Sequence, residues 1–162
     1  MIRVIPFLLY LWLVALHQVV LGEVVSIYGV GINLPVLLVL LVGLHKSELD
    51  TCWFGFFVGM VAFAGLTEMM GWHALVMAII GYLAYHMRVK INLESRYSKL
   101  LLVFIGAAVH NTAVLVMSKS DGVFYLLTTQ ALTGALYTTV IAWIFFLFKE
   151  GKITFQKFKA IF

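Results

Sequence analysis

Five histidines, one cysteine and seven acids are the side chains best suited to hold a metal, move a proton or attack a substrate. The histidines are His17, His45, His73, His86 and His110. No two are three or four apart, the spacing that puts two imidazoles on one helix face for zinc. Cys52 has no obvious base beside it, and no serine sits in a Gly-x-Ser-x-Gly elbow. Glu68 and His73 make an acid–histidine pair on paper, but a solvated turn acid is the ordinary role of such a residue. No catalytic, metal or cofactor set emerges, so a non-enzymatic protein is expected. The pair His110-Asn111 stands out, because it interrupts an apolar run in which Val103, Gly106, Ala107, His110 and Val114 share a helical face. Such a histidine either lines a ligand or proton site or bonds to a neighbour. A backbone carbonyl or a threonine of the next helix is the expected partner.

The elements that must position these groups are set by composition. The chain has 162 residues, 64% of them apolar and 11% charged, with a mean hydropathy of +1.07. A soluble domain carries about 25% charged residues. The expected fold class is therefore an all-α integral membrane protein, a six-transmembrane-helix bundle in one domain. The expected spans are about 4–21, 31–44, 52–64, 72–87, 100–117 and 123–148. The first run reaches Leu21 without a small-x-small cleavage site, so it reads as a retained helix. A single cysteine excludes an intramolecular disulfide. None of the seven acids falls mid-span, which argues against ion coupling.

Six spans put both termini on one side, and the basic residues decide which side. Arg3, Lys46, Arg88, Lys90, Arg96, Lys99, Lys149, Lys152, Lys157 and Lys159 fall on one side and only Lys119 on the other, 10 of 11. Both termini are expected in the cytoplasm. Residues 149–162 form a basic tail interleaved with aromatics, expected to lie on anionic lipids. The net charge of +4 is not a nucleic-acid signal.

The stretch 53–85 reads as a hairpin of two apolar helices. Gly55 and Gly59 are four apart on the first, and Ala74, Ala78 and Gly81 lie close to one face of the second. Small residues at this spacing let helix backbones approach closely in lipid. Residues 65–71 form the turn, and with Trp72 and His73 they are the expected outer contact.

This hairpin resembles the rod shape-determining protein MreD family. Gly55-Phe56-Phe57-Val58-Gly59, then Met70-Gly71-Trp72-His73-Ala74-Leu75, then Gly81-Tyr82-Leu83 follow the family's pattern. Asn33-Leu34-Pro35 before an aliphatic run resembles its proline-initiated second helix. Recognisable motif covers residues 35–85, and the architecture covers nearly the whole chain. Where the family often has an acid, this chain has Phe63. The resemblance implies a non-enzymatic membrane scaffold of the cell-elongation complex, without cofactor. It would bind MreC and help couple MreB filaments to RodA and a class B penicillin-binding transpeptidase. It also implies a fold like the substrate-binding subunits of energy-coupling-factor transporters. The alternative reading is therefore a substrate-binding membrane subunit of a small-molecule, vitamin-type transporter. Converging polar side chains such as Trp72, His73, Asn111 and Gln130 would favour that alternative.

Overall fold

The structure, a computed structural model, describes residues 5–26, 30–65, 68–91, 95–118 and 123–149; of Glu23 and Val123 it describes the backbone alone. Nearly all of the described residues are helical, and none forms a strand. The helices are α1 (Ile5–Leu16), α2 (Leu34–Gly43), α3 (Glu48–Ala62), α4 (Met70–Ile91), α5 (Arg96–Met117) and α6 (Thr133–Lys149). A π-helical turn, His17–Leu21, carries α1 on into Gly22–Val24, and a second, Leu127–Leu132, joins Val123–Leu126 to α6. Three helical stretches, Met70–Ile91, Arg96–Met117 and Phe124–Lys149, are long and apolar enough to cross a membrane. They mark the chain as a membrane protein. Large apolar side chains cover its outside, among them Leu8, Trp12, Val19 and Phe124.

Several helices differ from the expected spans, and capping explains most of the differences. α3 starts at Glu48 rather than 52. Ser47 is its N-cap: its Oγ accepts from the Asp50 N–H (3.3 Å) and donates to Asp50 Oδ2 (2.8 Å). This is a serine N-cap, with Glu48 and Asp50 suited to the positive end of the helix dipole. α4 runs on to Ile91 rather than 87, because Arg88 and Lys90 suit the negative end of its dipole. α5 begins at Arg96 rather than 100. α2 is shorter than 31–44, since Asn33 caps it and Pro35 opens its first turn. The expected basic tail beyond Lys149, part of the 65–71 turn and both termini lie outside the described residues.

α2 is the centre of the molecule. Pro35 through Leu40, Val42 and Gly43 are all buried. Ten residues of helix span about 15 Å, half of a hydrocarbon core of about 30 Å. A helix this short survives at depth only when neighbours cover it on every side and its ends are capped. The contacts also sort the helix ends. Lys46 lies over the Phe7 ring at 5.8 Å and Lys99 over Phe146 at 6.0 Å. Lys149 Nζ lies 2.7 Å from His45 Nε2, and Glu48 3.8 Å from His86. One end of the bundle therefore gathers the start of α1, the end of α2, the start of α3, the end of α4, the start of α5 and the end of α6. The opposite end gathers Asn33, Phe63, His73, Asn111 and Ala131.

Candidate functional site

Two arrangements gather the residues singled out above. The first is the seam between α3 and α4. A Cβ added at Gly55 would lie 2.5 Å from the Met77 carbonyl oxygen and 3.1 Å from Ala78 Cα. One added at Gly59 would lie 2.5 Å from Ala74 Cα and 2.7 Å from the His73 carbonyl oxygen. The obstacles are backbone atoms, which cannot rotate away. Gly81 faces the Thr51 carbonyl oxygen at 2.9 Å by the same measure, and Gly43 faces Ala84 Cβ at 2.9 Å. The small residues thus set how close the two helices lie. Trp72, by contrast, is exposed on the outside.

The second arrangement is a polar cluster at the N-terminus of α2, and Asn33 is its hub. Asn33 Oδ1 accepts from the Val36 N–H at 3.2 Å as the helix cap. That fixes which end of the amide is nitrogen. Asn33 Nδ2 then faces His110 Nδ1 at 2.8 Å and donates to Asn111 Oδ1 at 2.7 Å. Asn111 Nδ2 donates to the Ala131 carbonyl oxygen at 3.0 Å, inside the second π turn. The Asn33 N–H donates to Thr138 Oγ1 at 2.9 Å, and that hydroxyl donates to the Gly134 carbonyl oxygen at 2.8 Å. Every amide is oriented by the one before it. His110 Nδ1 must accept from Asn33, so the ring carries its single proton on Nε2. The partner of His110 is therefore neither a backbone carbonyl nor a threonine of α6. Thr138 is taken by Asn33 instead.

Beside this cluster opens a cavity of about 320 Å³. Its polar lining comes from His17, Gln18, Asn33, His110, Asn111 and Gln130, and Phe63 closes part of its wall. No described lining side chain is an acid, a lysine or an arginine. Both π turns flank it. His17 and Gln18 come from the first, Gln130 and Ala131 from the second. A π turn widens a helix by one residue and is found most often where a helix has a task beyond spanning. Among the described residues neither ring nitrogen of the buried His17 has a hydrogen-bond partner, nor has His110 Nε2, and all three atoms are buried.

His73 sits behind this wall rather than in it. It is 2% exposed and stacks flat on Phe63, with centroids 3.4 Å apart and planes 3° apart. His110 lies 6.3 Å from His73, centroid to centroid. Phe63 thus occupies the space between a buried histidine and the cavity. Among the described residues no cluster of histidine, cysteine and acid side chains is placed to hold a metal ion. Sequence reasoning put His110 and Asn111 together but passed over Asn33 as the hub and His17 as a wall residue. An Asx residue directly before Leu-Pro is a helix-cap signal that points to Asn33. No family model matches the chain, and neither does any curated protein or solved structure.

Proposed function

We propose that the chain is a six-span, non-enzymatic scaffold of the bacterial cell-elongation machinery, similar to the MreD family. It lies in the cytoplasmic membrane with both termini inside the cell. It binds MreC directly and so belongs to the complex that links MreB filaments to RodA and a class B penicillin-binding transpeptidase. The observation that carries this reading is the α3–α4 seam. The glycines of the family-like motif are the positions where no side chain fits against the opposing backbone. The motif therefore has a packing reason, and small-residue seams are how helices associate in lipid.

Two further features support it. A mostly apolar groove between α1 and α3, lined by Phe7, Leu8, Leu11, Trp53, Phe54 and Phe57 with Asp50 among them, offers an apolar surface to a single helix such as the MreC anchor. The end of the bundle that gathers Lys46, Lys99 and Lys149 also agrees with the cytoplasmic side predicted from charge.

The test is a pull-down of tagged protein from its native membrane in mild detergent, with every co-purifying chain identified. MreC and elongation enzymes are expected. Recovery of ATPase subunits instead would replace the scaffold reading with that of a transporter's substrate-binding subunit. A fluorescent protein fused to the C-terminus should fluoresce, because that end is cytoplasmic.

A further inference from the structure

The polar cavity has no role in a scaffold held together by helix seams. We propose that it is a binding site for an uncharged, hydroxyl-rich head, that of a sugar-bearing lipid or of a free sugar. This goes beyond the scaffold reading and does not depend on it.

A polar atom buried without a partner destabilises a protein by about 1–3 kcal/mol, and water is scarcer inside a membrane bundle than in a soluble one. Yet among the described residues nothing bonds either ring nitrogen of His17, 8% exposed, or Nε2 of His110, 2% exposed. Both residues line the same cavity. Asn33 holds His110 in one orientation, with its Nε2–H buried behind the cavity surface. Nothing holds His17. A half-turn about χ2 exchanges each of its ring nitrogens for a carbon and presents a donor and an acceptor to the cavity. Gln18 and Gln130 add an amide each at the exposed rim, and no side-chain bond among the described residues ties up either one.

The lining chooses the chemistry. No described lining side chain is an acid, a lysine or an arginine, so a charged head would be buried without a counter-charge. Neutral imidazoles and amides each offer both donors and acceptors, which is what hydroxyl groups need. Ligand sites range from about 300 to 1,000 Å³, and this one, at about 320 Å³, suits one small ring rather than a long chain. The two π turns supply the extra helix width that makes the room.

The experiment places the full chain in phosphatidylcholine nanodiscs and follows thermal unfolding by tryptophan fluorescence. Three probes are compared: discs doped with glucosyl diacylglycerol, free glucose added to undoped discs, and discs doped with phosphatidylglycerol. At saturation the sugar-bearing probe should raise Tm by about 5 °C. A rise with the lipid alone assigns a membrane source, and a rise with glucose a soluble one. His17→Leu should leave Tm of the undoped discs unchanged or higher, since it removes two unpaired nitrogens, and should abolish the rise. Gln130→Leu, at the rim, should fold normally and weaken it. No rise with either sugar overturns the proposal, as does an equal rise with phosphatidylglycerol. A His17→Leu protein that keeps the full rise also overturns it.

Discussion

A single methyl group placed at Gly59 tests how close α3 and α4 lie. The added Cβ would sit 2.5 Å from Ala74 Cα, against about 3.4 Å for an ordinary contact, so the helices must part by roughly 3.4 − 2.5 = 0.9 Å. A gap of that size forfeits about a quarter to a half of the dispersion attraction of each facing atom pair. Overpacking of a rigid core costs about 1–3 kcal/mol, and the upper part of that range applies because the obstacles are backbone atoms. Alanine is a better helix former than glycine by about 1 kcal/mol, which offsets part of the loss. Gly59→Ala should therefore destabilise the protein by about 1–2 kcal/mol. Gly71 is the control: it lies in the first turn of α4, and an added Cβ meets nothing within 4 Å. Gly71→Ala should be neutral or stabilising by up to about 1 kcal/mol. Reversible unfolding in mixed micelles, read by the four native tryptophans, measures both. If Gly59→Ala is as stable as the native chain, or Gly71→Ala loses as much, the close-seam argument is wrong.

Other perturbations separate further parts of the argument. Gly106→Ala should cost less than Gly55→Ala, because its new Cβ meets the movable end of Leu40 rather than the Met77 backbone; the same unfolding titration ranks them. Asn33→Ala removes a helix cap and leaves Asn111 Oδ1 and the Val36 N–H unpaired, a loss of about 2–3 kcal/mol. Asn33→Asp keeps the cap oxygen but sets a carboxylate against the acceptors His110 Nδ1 and Asn111 Oδ1, so it should cost at least as much as Asn33→Ala in the same assay. Tyr137→Phe deletes the 3.0 Å bond from the Tyr137 hydroxyl to the Val25 carbonyl oxygen and should cost about 1 kcal/mol, seen as a lower Tm. Gly59→Leu should lose MreC in the pull-down, while a double variant that also shrinks the opposing side chain cannot restore it, since the obstacle is backbone.

Much of the architecture is readable from residues. The apolar runs announce lipid, and Gly55, Gly59, Ala74, Ala78 and Gly81 announce a close seam, because spacing on a helix is a local property. The α3 start was also legible: a serine at 47 followed by acids at 48 and 50 is an N-cap signal that a span beginning at 52 passes over. The cavity was not legible. Its walls come from the two π turns, the approach to α2, Phe63, α5 and the start of α6, and no local pattern ties His17 to Gln130. The π turns escape notice for a related reason, since periodicity alone does not mark the insertion of one extra residue. His110 drew attention as a polar residue in an apolar run, but its partner lay 77 positions away at Asn33. Which histidine faces a cavity and which stacks on Phe63 is decided by tertiary packing.

The wide sequence separations around Asn33 bear on how the protein is made. Its backbone N–H finds Thr138, 105 positions later. At about 5–20 residues per second of synthesis, that partner follows Asn33 by roughly 5–20 s. During that interval α2 is a ten-residue apolar segment with a bare polar tip, too short to be taken up as a span by its own hydrophobicity. The apolar sides of α2 can pack on α3, α4 and α5 as soon as those are made, but its polar tip stays unsatisfied until the final helix brings Thr138 to the Asn33 N–H.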